Sequence, residues 1–127
     1  MTITVDSSAL IAAITDFDCS EGTALDTIAK AELIAPHVID LEVAHGLRRI
    51  DRSDDTDAAG AFRRYRLVSI RRFDHGPLMQ RIWDLRHNLT AYDAAYVALA
   101  EFTGTPLLTL DGKIANAPGH RAEVIVL

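Results

Sequence analysis

Apolar and polar residues follow patterns along this chain that predict strands and helices in alternation. Residues 2–5 are β-branched and half apolar, which predicts a strand that ends at Asp6. Ser7 or Ser8 can then cap a helix over residues 9–14. Because the connections are short, the alternation predicts an α/β fold with a mostly parallel sheet covered by helices on both faces. Further strands are predicted at 67–71, 107–110 and 122–127, and residues 33–35 are predicted to form a brief strand or an extended connector. Further helices are predicted at 20–32, 37–52, 57–65 and 75–89.

The rest of the chain is organised around residues 89–112. Thr90 is a good N-cap, and it places Asp93 in the first turn of the helix that follows. Gly104 can end this helix, and a strand at 107–110 then runs into an Asp111-Gly112 turn. One acid therefore opens a helix and another closes a strand. The helix is predicted to be buried nearly all round, because apolar residues recur at Ala91, Ala94, Ala95, Ala98 and Phe102 and are joined by Val97 and Leu99.

The length and composition fit one soluble domain over residues 1–127. Hydrophobic residues make up 49% and charged residues 24%, as in an ordinary globular protein. No apolar run approaches the roughly 20 residues of a membrane helix, and the first residues do not form a signal peptide. Cys19 has no partner thiol, so we interpret it as a small loop or core residue in a reducing compartment. These features predict a cytoplasmic protein without a membrane segment.

Charge is distributed unevenly along the chain. The formal net charge of -5 by itself argues against a nucleic-acid partner. Residues 48–86, however, contain ten arginines and six acids, a local balance of +4, whereas the remainder carries -9. Arginine forks suit phosphate groups, so a cationic segment beside an acidic site fits a phosphodiester substrate. For each arginine, a solvated helix face remains the alternative interpretation.

Four acids are the candidates for chemistry: Asp6, Glu42, Asp93 and Asp111. If the sheet gathers them around one pocket, their charges repel, and Mg²⁺ or Mn²⁺ would relieve the repulsion because both prefer oxygen ligands. Each acid also has a local alternative. Asp6 and Asp93 can act only at helix N-termini, Asp111 can serve only a turn, and Glu42 can pair with Arg49 at the rim. The residues alone therefore predict an acid-lined α/β domain in which metal binding is a hypothesis.

Four segments that contain these acids resemble, in order, the acidic motifs of PIN-domain ribonucleases. The resemblance covers nearly the whole chain and is closest to the VapC-type toxins of type II toxin–antitoxin pairs. The segments are Val-Asp6-Ser-Ser-Ala-Leu-Ile, Asp-Leu-Glu42-Val-Ala-His-Gly-Leu, Leu-Thr-Ala-Tyr-Asp93-Ala-Ala-Tyr-Val-Ala-Leu-Ala and Leu-Leu-Thr-Leu-Asp111-Gly-Lys.

The resemblance implies a three-layer α/β/α sandwich and a Mg²⁺- or Mn²⁺-dependent endoribonuclease that cleaves single-stranded regions of RNA, such as tRNA or rRNA. Asp6 and Asp93 would be direct metal ligands, and Glu42 and Asp111 would bind through water or orient the nucleophile. Hydroxyl groups of Ser7, Ser8 and Thr90 would hold the carboxylates in place. The RNA backbone would be gripped by some of Arg48, Arg49, Arg63, Arg64, Arg66 and Arg72.

The same resemblance implies a cognate VapB-type antitoxin and a homodimer. One departure concerns Lys113, which stands where some relatives carry a further acid, so a second metal ion is in doubt. Two other classes of protein remain as alternatives. A phosphate-accepting receiver domain would need paired acids after the first strand, where this chain has Ser7 and Ser8. A binding module without activity is the other, although all four acids are present.

Overall fold

The computed structural model describes residues 1–16, 21–52 and 57–127. Within these ranges, strands form one sheet in the order β3-β2-β1-β4-β5, and every neighbouring pair is parallel. The prediction of a mostly parallel α/β sheet is therefore confirmed. Cys19 and the predicted helix start at Ser20 lie outside the described residues. The strands are β1 (Thr2–Val5), β2 (Glu32–Pro36), β3 (Ile70–Phe73), β4 (Leu107–Thr109) and β5 (Val124–Val126).

Helices connect and cover these strands. The first helix packs against the second, third and fourth helices. The sixth helix packs against the fifth helix and against β1 and β2. These two groups of helices and the sheet form the three-layer α/β/α arrangement. None of the described helices has the length and apolar character that crossing a bilayer demands. The helices are α1 (Ser7–Thr15), α2 (Ala24–Ala29), α3 (Ile39–Asp51), α4 (Ala58–Leu67), α5 (Met79–Asp84, after a 3-10 turn at Gly76–Leu78), α6 (Ala91–Thr103) and α7 (Gly112–Asn116).

The central helix α6 follows the prediction at both termini. The Thr90 hydroxyl accepts a hydrogen bond from the Asp93 amide at 3.2 Å, and Gly104 ends the helix with φ of +66°, a conformation that favours glycine. Residues 94–100 are all buried, so this helix is the middle of the core. The prediction of burial was wrong at its two ends: Ala91 is exposed, and Phe102 is 70% exposed. Both lie outside the buried stretch 94–100.

Several predicted boundaries were wrong for reasons of local chemistry. Asp6 itself, and not Ser7 or Ser8, is the N-cap of α1, because its carboxylate accepts the Ala9 amide at 3.0 Å. Helix α2 is shorter than predicted and begins after a Thr23 cap. Strand β3 lies three residues later than the predicted start. The short helix α7 was not predicted, since five residues are too few to establish a helical period.

Candidate functional site

The four candidate acids converge from different parts of the fold. Strands β1 and β4 are neighbours, and their carboxyl ends lead directly to Asp6 and, one residue beyond Leu110, to Asp111. Helix α6 contributes Asp93 from its first turn, and helix α3 contributes Glu42 from its own. The charges of these side chains act on one another: Asp111 and Asp6 raise the pKa of Asp93, while Asp93 and Asp6 raise that of Glu42. The sheet therefore gathers the four carboxylates into one acidic site.

Asp6 is the most enclosed of the four, with only 5% of its surface exposed. One carboxylate oxygen accepts hydrogen bonds from the Ser8 hydroxyl at 2.7 Å and from the Ala9 amide at 3.0 Å, and the other accepts one from the Thr109 hydroxyl. Burial raises the pKa of Asp6, these hydrogen bonds oppose the shift, and the charge of Asp111 adds to it. The net direction is upward, so the buried charge is only partly compensated by the protein.

Glu42 has a partner that the sequence analysis missed. The hydroxyl of Tyr96, whose side chain is 1% exposed, donates a hydrogen bond to the Glu42 carboxylate at 2.5 Å. Burial raises the pKa of Glu42, the charges of Asp93 and Asp6 add to the shift, and hydrogen bonds from Tyr96 and Ser7 oppose it. A sequence signal was available: Tyr96 follows Asp93 by three residues, which places both on one face of α6.

Asp93 does more than complement the dipole of α6. Burial raises the pKa of its carboxyl group, and so do the charges of Asp111 and Asp6, while a hydrogen bond with Thr90 lowers it. A carboxylate that served only the helix N-terminus would be stabilised in its charged form. The upward direction shows that repulsion and burial outweigh that benefit.

Asp111 is a helix cap as well as a member of the site. Its carboxylate accepts the Lys113 amide at 2.9 Å as the N-cap of α7, so the turn interpretation was incomplete. Its own amide donates to the Thr109 hydroxyl at 2.9 Å, the same hydroxyl that donates to Asp6. Thr109 therefore ties two of the acids together, although the sequence analysis did not single it out. Lys113 is exposed.

The hydroxyl groups predicted to support the acids all lie beside them. Ser8 donates to Asp6 and accepts the Leu110 amide at 3.0 Å, which links α1 to the residue after β4. Ser7 hydrogen-bonds with Glu42, and Thr90 does so with Asp93. Asp6, Glu42 and Asp93 are thus positioned by neutral hydroxyl groups, which do not neutralise their negative charges.

The six candidate arginines do not form one group. Arg49 lines a groove together with Glu42, whereas Arg72 is bound to Asp40 at 2.8 and 2.9 Å and Arg64 donates to the Ile14 carbonyl at 2.8 Å. The salt bridges among the described residues do not include the alternative Glu42–Arg49 pair. The other three are exposed: Arg48, Arg63 and Arg66, the last lying 6.0 Å from the centre of the Phe62 ring.

The donor chemistry of the site fits a hard divalent cation. Its carboxylate and hydroxyl oxygens are the ligands that such ions prefer, and an ion would offset the charges that raise the pKa values of Asp6, Glu42 and Asp93. Within residues 1–16, 21–52 and 57–127, no three acidic, histidine or cysteine side chains already stand at the spacing of a metal cage. The carboxylates of Asp6 and Glu42 accept hydrogen bonds from hydroxyl groups instead.

The fold and the site define this chain as an α/β/α domain with acids gathered at the ends of adjacent parallel strands. Comparison with known proteins identifies the family. The sequence profile of the PIN domain family matches residues 3–119. Ribonuclease VapC9 of Mycobacterium tuberculosis is 38% identical over 128 residues, which cover 98% of both chains. The chain therefore belongs to the PIN domain family, among its VapC ribonucleases. PIN-domain ribonucleases are generally dependent on a divalent metal ion.

Solved structures agree on the fold. VapBC2 from Rickettsia felis, crystallised with a DNA fragment from their promoter, matches with a TM-score of 0.69 at 12% identity over 98% of both chains. VapC20 of Mycobacterium tuberculosis, described as a Sarcin-Ricin loop cleaving toxin, matches with a TM-score of 0.65 at 21% identity, covering 94% of this chain and 96% of that one. At these identities the structural likeness establishes the fold alone.

Proposed function

We propose that this chain is a divalent-metal-dependent endoribonuclease toxin of a toxin–antitoxin pair, which cleaves single-stranded regions of RNA. The observation that carries the proposal is the convergence of four carboxylates, three of them with raised pKa values, at the ends of β1 and β4. Membership of the VapC ribonucleases supplies the reaction class and RNA as the substrate. Within RNA, the proposed targets are tRNA or rRNA.

In this proposal Asp6 and Asp93 bind Mg²⁺ or Mn²⁺ directly, and Glu42 and Asp111 bind through water or orient the nucleophile. A bound ion of this kind lowers the pKa of water and offsets the charge of a phosphodiester. The chain supplies the positioning: Thr109 and Ser8 fix the two oxygens of Asp6, and Tyr96 fixes Glu42.

The partners follow from the same family. We propose a cognate VapB-type antitoxin, whose inserted arginine would be attracted by the acidic site, and a homodimer. Because the substrate is cellular RNA, the protein would act in the cytoplasm. Arg49 is the candidate arginine best placed to hold RNA near the acids, since it lines a groove with Glu42. Binding through arginine would weaken as the salt concentration rises.

Cleavage of total cellular RNA tests the proposal. Wild-type protein with Mg²⁺ or Mn²⁺ is expected to release discrete fragments, which stop appearing in excess EDTA. Asp93→Asn removes a metal ligand and should abolish cleavage while the circular dichroism spectrum stays unchanged. Asp51→Asn is the matched control, because Asp51 is an exposed acid at the far end of α3. Full cleavage by Asp93→Asn, or by wild type in EDTA, would refute the mechanism.

A further inference from the structure

A groove of about 670 Å³ begins at the acidic site and runs along helix α3. It lies between α1, α3 and the start of α6, and it shares Ser7, Ser8 and Glu42 with the acidic site. Its volume falls in the range of pockets that bind small molecules or single nucleotides. A Cβ atom at Gly46 would lie 2.4 Å from Cδ1 of Ile11, so a larger residue at this position would displace the end of the Ile11 side chain in the groove.

The middle of the groove is apolar and open to solvent. Leu41 is 73% exposed and Tyr92 is 59% exposed, and both line the groove. Tyr92 lines this groove together with Ser7, Ser8 and Glu42 of the acidic site. Large apolar side chains that remain exposed beside a candidate active site are typical of a surface that binds a ligand or another protein.

A cation closes the far end of the groove. Arg49 follows Glu42 by seven residues, which corresponds to two turns, or about 10 Å, along α3. The salt bridges among the described residues occupy Arg72 and Arg81 but do not include Arg49. The groove thus runs from the acids, past an aromatic ring, to an arginine.

We propose that this groove binds the nucleotide next to the cleaved phosphodiester: its base stacks on the Tyr92 ring, and Arg49 contacts its outer phosphate. This inference rests on the proposed ribonuclease function and names a substrate subsite for it. An aromatic face next to a cation is the combination by which proteins bind single-stranded RNA without reading its sequence. A peptide segment of a protein partner would use the apolar walls but would not need both the aromatic face and the arginine.

Equilibrium binding of RNA tests the subsite without relying on catalysis. The probe is a fluorescein-labelled pool of 12-nucleotide RNA of random sequence, measured by anisotropy in Mg²⁺ with Asp93→Asn as the uncleaving background. Adding Tyr92→Ala should weaken binding roughly 5- to 150-fold, the loss expected for one stacked base. Adding Tyr92→Phe should restore the affinity. Phe102→Ala is the matched control, because Phe102 is an exposed aromatic residue on the same helix outside the groove and should leave binding unchanged.

A base-free ribose-phosphate chain of the same length separates stacking from phosphate contact. Tyr92→Ala should leave its binding unchanged. Arg49→Gln should weaken both probes and reduce the slope of log affinity against log salt by about 0.7, the value for one phosphate contact on a single strand. Equal losses for Tyr92→Ala on both probes, or none on either, would overturn the stacking role.

Two further results would assign the groove to another occupant. If Tyr92→Ala turned a dimer into monomers in sedimentation without changing RNA affinity, a second copy of the chain would occupy it. If Tyr92→Ala abolished only antitoxin binding, a peptide segment would. Either result would contradict the proposed nucleotide subsite. Neither would contradict the proposed ribonuclease function, because the dependence of cleavage on Asp93 tests that function separately.

Discussion

Helix α3 carries two carboxylates, Asp40 and Glu42, that have similar local surroundings but opposite pKa shifts. Asp40 and Glu42 both lie in its first turn, where the helix dipole favours negative charge. Each accepts a hydrogen bond of 2.5 Å from a buried tyrosine, Tyr65 for Asp40 and Tyr96 for Glu42. The tyrosine and the dipole therefore do not distinguish the two.

The difference lies in the third partner. The Arg72 guanidinium grips both oxygens of Asp40 and holds the pKa of that carboxyl group below its usual value. Glu42 meets Asp93 and Asp6 instead, and burial together with their charges raises its pKa. The charge of Asp40 is neutralised by an ion pair with Arg72 of β3, and a hydrogen bond from Tyr65 also connects it to α4. Among the described residues, the charge of Glu42 is not neutralised by a salt bridge with a basic side chain, so a bound cation would stabilise it.

Exchanging the two acids for their amides gives the largest expected contrast. Glu42→Gln removes a carboxylate from the acidic site and should lower the rate of RNA cleavage about a hundredfold or more, since even residues that only support metal ligands are worth 10–100-fold. Asp40→Asn should leave cleavage within about twofold, because Asp40 faces Arg72 and not the site. It should cost about 1–2 kcal/mol of unfolding free energy by weakening a partly exposed ion pair.

Urea unfolding and a cleavage assay on one RNA measure both quantities. The comparison fails if Asp40→Asn loses as much activity as Glu42→Gln, because the ion pair would then belong to the active site. It also fails if Glu42→Gln cleaves at the wild-type rate.

Removing the two hydroxyl groups isolates the role of the tyrosines. Tyr96→Phe keeps the ring in the core but frees the Glu42 carboxylate to rotate, so we expect cleavage to fall about 10–100-fold at low Mg²⁺ and to recover partly at high Mg²⁺. Tyr65→Phe removes an equally short hydrogen bond remote from the acids and should cost about 1 kcal/mol of stability with normal cleavage.

A titration of cleavage rate against Mg²⁺ is the decisive measurement for this pair. A structural role alone for Tyr96 would lower the melting temperature but leave the Mg²⁺ midpoint where wild type has it. An unchanged midpoint for Tyr96→Phe would therefore remove Tyr96 from the positioning of Glu42.

The fold was predictable because its signals are local. Apolar strands, the Thr90 cap and Gly104 are read from a few neighbouring residues, and together they identified the parallel sheet and the limits of α6. Errors arose where tertiary packing decides the outcome. Phe102 continues the apolar period of α6, but it lies outside the buried stretch 94–100, and its ring is 70% exposed.

The candidate site was predictable only in part for the same reason. The acids could be chosen because Asp6 and Asp111 follow strands, Asp93 opens a helix, and Glu42 borders the apolar stripe of the predicted helix 37–52. Ser7, Ser8 and Thr90 were predicted as their partners, but Thr109 and Tyr96 were not, since Thr109 meets Asp6 across 103 positions of sequence and Tyr96 meets Glu42 across 54. The different roles of the arginines could not be predicted either, because only the structure shows that Arg72 binds Asp40 while Arg49 lines the groove.

The smallest expected effect is a pair of opposite pH dependences in the metal-free protein. The pKa of Asp40 is lowered, so its stabilisation is complete above the usual value of 3.8 and is lost as the pH falls through the lowered value. The pKa of Asp93 is raised, by burial first, so its contribution is most favourable below 3.8 and becomes unfavourable as the pH rises through the raised value.

At pH 7 in EDTA, Asp93→Asn should therefore melt a few degrees above wild type and Asp40→Asn a few degrees below, roughly 3–6 °C for about 1 kcal/mol. Both differences should shrink toward zero as the pH falls, Asp93→Asn first, because its carboxyl group takes up a proton at the higher pH. Thermal melts between pH 3 and pH 8 measure this order. Added Mg²⁺ should raise the melting temperature of wild type more than that of Asp93→Asn, since the variant has lost one of the carboxylates that would hold the ion. Equal Mg²⁺ shifts in both proteins would mean that the repulsion at Asp93 does not create the cation site.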